Sequence, residues 1–121
     1  MRITAEQARV LAERARADGE QPYGVPFRHG TLEVGFYAPR GADDQSPHPQ
    51  DEVYVVLAGS GTFAEGDRRH AFGPGDLLFV PAGVDHRFLD FSDDLAVWVI
   101  FYGPEGGEAD AAARRAAATP K

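Results

Sequence analysis

The sequence predicts an all-β sandwich or barrel, and two observations lead to this fold class. First, residues 23 to 103 consist of short runs of alternating or β-branched residues, which glycine and proline separate at regular intervals. Second, no helical pattern separates these runs, which argues against the parallel sheet of α/β proteins. A chain of 121 residues is long enough for one hydrophobic core, so we expect one domain.

The first segment, residues 1 to 20, predicts a helical extension. Thr4 and Gln7 fit a capping box, in which each side chain accepts a hydrogen bond from the other residue's backbone amide. Four residues then share one helical face: Ala8, Leu11, Ala12 and Ala15. Gly19 is suited to end the helix. Because the face is narrow and rich in alanine, we expect the helix to pack on the surface of the β domain.

Six segments of the central region have the composition of strands: 31–38, 52–57, 61–66, 77–82, 86–91 and 95–102. Trp98 falls in the last of these and is expected in the barrel core. The segment that follows, 104–121, is rich in alanine and has few large apolar residues. It is expected to form a short helix near 108–118 or a frayed tail, and we assign it no function.

Charge and composition exclude several classes of function. The net charge is −7, whereas proteins that neutralise nucleic-acid phosphates need a basic face, and the same charge argues against an anionic membrane surface. The absence of cysteine excludes disulfides, iron–sulfur clusters, thiolate zinc sites and cysteine nucleophiles. The N-terminus lacks the apolar stretch of a signal peptide, and the apolar runs are too short to span a bilayer. A cytoplasmic location is therefore expected.

Two polar stretches next to predicted strands carry candidate metal ligands. Residues two apart on a strand share a face, so His48 and Glu52 share one if the strand 52–57 extends back to His48. If His86 points into the same barrel, two imidazoles and a carboxylate converge. That set suits divalent iron, manganese, nickel, cobalt or zinc. The alternative is that each of the three is a surface or capping residue.

Both stretches resemble the sequence motifs of the cupin superfamily. In the first motif, G-x5-H-x-H-x3,4-E-x6-G, His48 takes the second histidine position, Glu52 the glutamate position and Gly59 the last glycine position. The second motif, G-x5-P-x-G-x2-H-x3-N, is matched by Gly75, Pro81, Gly83 and His86, with Asp90 in place of the asparagine. The resemblance covers roughly residues 30 to 103. It implies a double-stranded β-helix, or jelly-roll barrel, often homodimeric, with one divalent metal ion held in its mouth by His48, Glu52 and His86.

The chain departs from the first motif at two positions. Ser46 stands where the first histidine ligand is expected, and Gly41 lies one residue closer to the histidines than the motif asks. One interpretation is an intact set of three ligands with an additional open position, filled by water or by the amide of Gln45 or Gln50. The other is a degraded site that keeps the barrel but binds metal weakly or not at all.

The residues around the predicted ligands form a candidate pocket, which comprises Ser46, Gln45, Gln50, Tyr54, Phe88 and Asp90. Tyr54 and Phe88 have the parity of pocket walls, whereas Asp90 is expected either to hydrogen-bond a ligand imidazole or to lie in water. The fold alone does not decide the reaction. We therefore expect either a metal-dependent enzyme on a small organic substrate, of the oxygenase or isomerase type, or a non-catalytic module that binds or senses a small molecule or metal.

Overall fold

The computed structural model describes residues 1–109 and 115–116. In this part of the chain, helix α1 (Ala5–Ala17) precedes eight strands. The strands are β1 (Tyr23–His29), β2 (Leu32–Tyr37), β3 (Asp51–Ala58), β4 (Gly61–Glu65), β5 (Arg68–Phe72), β6 (Leu77–Val80), β7 (His86–Leu89) and β8 (Ala96–Tyr102).

The strands form two antiparallel sheets that face each other. The larger sheet has the order β1-β2-β8-β3-β6 and the smaller sheet the order β5-β4-β7. From β3 onward the chain passes repeatedly between the two sheets, since β3, β6 and β8 belong to the larger and β4, β5 and β7 to the smaller. This alternation is that of a jelly roll, and it confirms the predicted all-β class.

The core lies between the sheets and is rich in aromatic rings. Tyr54 projects from the large sheet, and Phe63 and Phe88 project from the small one. The centroids of these three rings lie 5.0 to 5.7 Å apart in edge-on or tilted contacts. Such contacts add to the free energy of burial, and they set the spacing of the sheets directly beneath the candidate site.

Two strands of the structure, β1 and β5, are absent from the six predicted from sequence. Both lie at the edge of their sheet. Pro26 and a register shift interrupt the pairing of β1, and β5 begins with the exposed residues Arg68, Arg69 and His70. Edge strands tolerate proline and charge because one side of their backbone bonds to no neighbour, so they lack the apolar alternation of central strands.

Helix α1 packs on the outer face of the large sheet, as its narrow apolar face predicts. The capping box between Thr4 and Gln7 is formed, and Ala8 and Ala12 are fully buried against a separate cluster that includes Phe36. Trp98 belongs to this cluster, 5.3 Å from the ring of Phe36. Its expected place in the barrel core is therefore wrong: Trp98 faces the helix instead of the barrel interior.

The C-terminal segment is described only in part. Residues 107–109 and 115–116 are helical, and the other residues of the predicted 108–118 helix lie outside the described residues. Within the described part of the chain, no helix has the length and apolar character needed to cross a bilayer.

Candidate metal centre

Glu52 is a carboxylate in the middle of the large sheet. It lies on β3, opposite Val80 of β6 and Phe101 of β8, and the strand alternates so that Glu52 faces the interior together with Tyr54. Only 1% of its surface is exposed. Among the described residues, neither of its carboxylate oxygens has a hydrogen-bond partner. Because a buried unpaired carboxylate costs several kcal/mol, Glu52 requires a counter-charge.

His86 reaches the same place from the small sheet. It is the first residue of β7 and is buried, while the next residue, Arg87, is exposed as the strand parity predicts. Its Nδ1 lies 2.9 Å from the carbonyl oxygen of Val84. A carbonyl only accepts hydrogen bonds, so Nδ1 carries the proton and donates it. In the neutral ring, Nε2 then offers a lone pair to the interior, where no described residue accepts or donates a hydrogen bond to it.

His48 comes from the loop before β3. The expected extension of the strand back to His48 does not occur, because β3 begins at Asp51 and Pro47 and Pro49 have no amide proton for a ladder. The backbone of the loop is fixed instead by the amide of Gly83, which donates to the carbonyl of His48 at 2.8 Å. The loop therefore places His48 beside the site without strand pairing.

These three side chains converge. One ligand atom from each of His48, Glu52 and His86 lies within 4.8 Å of the other two. Oε1 of Glu52 is 3.1 Å from Nε2 of His86 and 3.9 Å from Nε2 of His48. The structure thus brings together all three ligands that the sequence predicts, from two strands and a loop.

Two arrangements can satisfy the buried carboxylate, and they differ in what they explain. A protonated His86 would pair with Oε1 of Glu52, but it would leave Oε2 without a partner and give the adjacent His48 no role. A divalent cation would offset the carboxylate charge and would accept lone pairs from both imidazoles. The donor set, two imidazoles and one carboxylate, therefore fits a divalent metal ion.

The two imidazoles differ in proton affinity. Burial lowers the pKa of His48, and the nearby Glu52 only partly opposes this effect. Burial also disfavours the charged form of His86, but the Glu52 carboxylate and the Val84 carbonyl outweigh it and raise its pKa. His48 is therefore neutral and ready to coordinate near pH 7, whereas a metal ion must compete with a proton for His86 at a higher pH.

A cavity of about 280 Å³ opens beside these ligands. Its wall includes His48, Glu52, Ser46 and Gln45. Ser46, which stands in the place of the first histidine ligand, thus lies on the cavity side, although it belongs to a loop and not to the strand extension from which this position was expected. The volume is just below the range of about 300–1,000 Å³ that is typical of ligand sites, which limits the cavity to a small molecule.

The loop that carries Ser46 and His48 is anchored by a carboxylate that the sequence did not reveal. Asp43 is 3% exposed and accepts hydrogen bonds from Tyr37 Oη at 2.7 Å, from Gln45 Nε2 at 2.7 Å and from the backbone amide of Phe88 at 2.8 Å. The last contact spans 45 positions in the chain. No local pattern marks such a residue, since its partners are distant in sequence.

Gln45 completes this anchor and connects it to the floor of the site. Its Oε1 accepts from the hydroxyl of Tyr54 at 2.7 Å while its Nε2 donates to Asp43. Tyr54 is buried between the sheets. Gln45 thus lines the cavity, whereas Tyr54, which was expected as a pocket wall, is not among the lining residues and instead supports Gln45 from behind.

The other expected pocket residues lie elsewhere. Gln50 donates to the carbonyls of Thr31 and Gly103, so it fastens the loop to neighbouring backbone and is not among the residues that line the cavity. Phe88 is buried in the aromatic core. Asp90 is exposed just beyond the end of β7, with a positive φ of 49°, which matches the second of its two expected roles, a carboxylate in water.

A second buried carboxylate, Asp51, holds the turn that precedes His86. Its Oδ1 accepts from the amide of Ala82 at 3.0 Å, and its Oδ2 accepts from the amide of Glu108 at 2.9 Å. The turn therefore cannot move away from β3 without leaving a buried carboxylate unsatisfied. Asp51 adjoins the predicted ligand Glu52 in sequence. Its role could not be predicted from the sequence, because its partners, Ala82 and Glu108, lie far from it along the chain.

Comparison with known proteins agrees with this architecture. The model of the Cupin_2 family, described as a cupin domain, matches residues 33–102. An uncharacterised protein of Streptomyces coelicolor is 42% identical over 96 residues, which cover 78% of this chain and 90% of that protein. Acireductone dioxygenase 4 of Arabidopsis thaliana is 40% identical over 62 residues, which cover 46% of this chain and 33% of that protein.

A solved structure shares the same fold. The cupin-2 domain protein Rru_A2000 of Rhodospirillum rubrum superposes with a TM-score of 0.57 at 25% identity, over 78% of this chain and 70% of that chain. The match of the family model covers more than half of the chain and includes strands β3 to β8, most of β2 and all three converging side chains. The chain therefore belongs to the Cupin_2 family of the cupin superfamily.

Proposed function

We propose that this cupin domain holds one divalent metal ion through His48, Glu52 and His86 and that it is a metal-dependent enzyme acting on a small organic molecule in the adjoining cavity. The observation that carries the proposal is the convergence of three buried atoms, Oε1 and Oε2 of Glu52 and Nε2 of His86, which have no hydrogen-bond partner among the described residues. An otherwise well-satisfied interior that leaves these atoms open supports a metal ion as their partner.

The metal ion would supply Lewis acidity and an attachment point for an oxygen-bearing substrate. The residues of the chain contribute position and shape. Val84 fixes the tautomer of His86, Asp43 and Gln45 hold the cavity loop, and Phe101 packs edge-on against the ring of His48 at 4.8 Å. Side chains that are fixed in this way would hold a metal ion beside the cavity, where a substrate could reach it.

Of the two reaction types expected from the sequence, oxygenase and isomerase, one relative favours the first. Acireductone dioxygenase 4 shares 40% identity with this chain, although the match covers only a third of that enzyme. An oxygenase requires space at the metal site for a second small ligand beside the substrate. Ser46, which replaces an imidazole ligand on the cavity wall, leaves such space.

The test of metal binding is elemental analysis of protein that was purified without chelators or added metal. We expect close to one divalent ion per chain, and less than a tenth of that amount in His86→Ala. His29→Ala is the matched control, because His29 is exposed and stacks on Phe27 at the edge strand. Equal metal content in all three proteins would remove the ligand assignment.

Oxygenase activity is tested after the metal is identified, by screening for oxygen consumption with candidate substrates and the matching metal. Consumption that requires both the metal and His48 supports the enzyme. The second candidate function is a non-catalytic module, which the same three side chains and cavity would also serve, since a three-ligand site can bind a small molecule without turnover. Tight binding of a compound with no product after prolonged incubation would select the module.

The homodimer implied by the cupin resemblance is also a proposal. Three large apolar side chains are exposed on neighbouring strands of the large sheet: Leu57 on β3 and Leu77 and Phe79 on the edge strand β6. A symmetric dimer would cover such a face. Light scattering at micromolar concentration is expected to give twice the chain mass of 13.1 kDa, and a monomeric mass would contradict the dimer.

A further inference from the structure

The cavity beside the proposed metal centre has an unusual balance of hydrogen-bonding groups. Two tyrosines form part of its wall, and each donates its single hydroxyl proton to a carboxylate behind the wall. Tyr23 donates to Glu33 at 2.8 Å and Tyr37 to Asp43 at 2.7 Å. A phenol has one proton and two lone pairs. The proton of each hydroxyl is therefore already used, and either oxygen can interact with an occupant of the cavity only as an acceptor.

The proton of each tyrosine is firmly held. Burial, together with the adjacent Glu33 carboxylate, raises the pKa of Tyr23 far above its ordinary value. Burial and the Asp43 carboxylate do the same for the pKa of Tyr37. Neither phenol ionises in the physiological range, so the hydrogen bonds to the two carboxylates persist and the acceptor character of this wall is constant.

The charges around the cavity have the same sign. Asp44 contributes an exposed carboxylate at the mouth and Glu52 a buried one at the metal centre. No lysine or arginine is among the described residues that line the cavity. Arg28 pairs with Glu33 and Arg40 with Glu13, each at 3.0 Å. A metal ion would offset the charge of Glu52 but would leave Asp44 as a further acidic side chain of the lining.

The aromatic rings of the wall favour the same kind of occupant. Tyr23 and Tyr37 lie edge to face with their centroids 6.4 Å apart, and a cation near the face of such a ring is attracted by its quadrupole. A carboxylate or phosphate beside these residues would meet hydroxyl lone pairs and Asp44, and no lysine or arginine of the described lining would bind it. A protonated amine would find acceptors on each of these groups.

We propose that the cavity selects a small molecule that carries a positively charged hydrogen-bond donor, such as a protonated amine, and that Tyr23, Tyr37 and Asp44 on the cavity wall recognise this donor. The inference rests on the proposed function for the rest of the ligand, whose oxygen atoms would meet the metal ion. It assigns the chemical class of substrate that the fold alone does not determine.

The test uses three probes with the same metal-binding head and different tails. Dopamine, 4-ethylcatechol and 3-(3,4-dihydroxyphenyl)propionate share a catechol and carry a cationic, neutral and anionic tail, respectively. Their affinities are measured by calorimetry under anaerobic conditions with zinc-loaded protein, since zinc has no redox chemistry with catechol. We expect dopamine to bind about tenfold more tightly than the propionate, with 4-ethylcatechol between them, because one or two partly screened charge contacts have this size.

A variant locates the preference. Asp44→Asn is expected to reduce the ratio of dopamine to propionate affinity to about threefold or less and to leave 4-ethylcatechol binding unchanged. Asp67→Asn is the matched control, since Asp67 is an exposed acid in the turn between β4 and β5 and its loss changes the net charge by the same amount. An undiminished ratio in Asp44→Asn, or equal ratios in both variants, would overturn the assignment of the cationic end to Asp44.

The same measurements in chelator-treated protein separate the two proposals. If the metal assignment fails, zinc raises the affinity of none of the probes, yet dopamine still ranks first in both preparations. If the cavity inference fails, zinc raises all three affinities, but the probes bind equally, the propionate ranks first, or the neutral compound exceeds dopamine. An absence of detectable binding for all three probes in both preparations would also overturn the inference.

Discussion

The candidate metal centre and two structural regions of the interior each contain a buried carboxylate, but only the structural regions supply it with hydrogen bonds. In the anchor of the cavity loop, Asp43 accepts three hydrogen bonds, and in the turn before β7, Asp51 accepts two. At the candidate metal centre, Glu52 accepts none from the described residues. The fold can evidently satisfy a buried carboxylate where the role is structural. This difference supports the proposal that Glu52 binds a metal ion, which would supply the partner that the described residues do not.

The largest expected effect tests the open carboxylate directly. Glu52→Gln is expected to lower metal affinity by about a hundredfold or more, because a neutral amide is a poor replacement for a ligating carboxylate. The same change removes a buried unpaired charge, so the metal-free protein is expected to be at least as stable as the parent. A chelator competition and a thermal melt in the presence of excess chelator measure the two quantities.

Glu65→Gln serves as the control for this pair of measurements. Glu65 is a half-buried carboxylate, 3.7 Å from the ring of His70 on the small sheet, but it does not belong to the converging group. Its substitution is expected to change neither metal affinity nor the effect of chelator. A large loss of stability in metal-free Glu52→Gln would mean that Glu52 is a structural residue like Asp43. The proposed difference between the two carboxylates would then be wrong.

The second prediction concerns the satisfied carboxylate. Asp43→Asn is expected to destabilise the protein by about 2 kcal/mol with or without metal, because an amide cannot accept all three of the existing hydrogen bonds and a buried donor loses its partner. Urea denaturation of chelator-treated protein measures the change. Asp44→Asn, at the neighbouring exposed position, is expected to stay within about 0.5 kcal/mol of the parent. Equal stability of the two variants would contradict the anchoring role.

The contrast between the two kinds of carboxylate also shows how far the sequence alone can lead. Its alternating segments predicted the central strands, and the spacing of two motifs predicted all three converging side chains. The edge strands β1 and β5 were not predicted, because charged residues and proline replace the apolar alternation there. The structural role of Asp43 was not predicted for a different reason. Its hydrogen bond with Phe88 joins residues 45 positions apart, and such a contact is known only once the chain is folded.

The pocket was predicted less well than the ligands, and Gln50 illustrates the reason. It lies between His48 and Glu52 in sequence, and nearness in sequence suggested a place in the site. In the structure its amide bonds to the backbone of Thr31 and Gly103. The loop before β3 has no strand periodicity, so the direction of its side chains could not be derived from residue parity.

A third prediction uses the different proton affinities of the two imidazoles. The pKa of His86 is raised above the ordinary value of 6.5, so protons begin to compete with the metal ion for His86 already above pH 6.5. Below the pKa of His86, metal affinity is expected to fall about tenfold per pH unit. The pKa of His48 is lowered, so its competition begins at lower pH, where the slope is expected to approach about a hundredfold per unit. Chelator titrations between pH 5 and 8 resolve the two slopes, and affinity that is constant down to pH 6 would contradict the role of His86.

The smallest expected effect concerns the position where the cupin motif places a further histidine. Ser46 lines the cavity with His48 and Glu52, and its neutral hydroxyl is a weak ligand beside an imidazole. Ser46→His is expected to raise metal affinity by about tenfold, since a third imidazole would add to a set whose other members are already positioned. An activity that requires an open position on the metal is expected to fall at the same time.

A competitive chelator titration of the parent, Ser46→His and His48→Ala decides this point, with Ser60→His as the control for an added histidine at an exposed position. If the site is a degraded remnant, Ser46→His leaves the affinity unchanged, because a fourth side chain has no organised set to join. If the site is intact, affinity rises in Ser46→His, falls in His48→Ala and stays constant in Ser60→His. Only an intact site gives changes of opposite sign at two residues of one loop, because both side chains must then face the same ion across the same cavity.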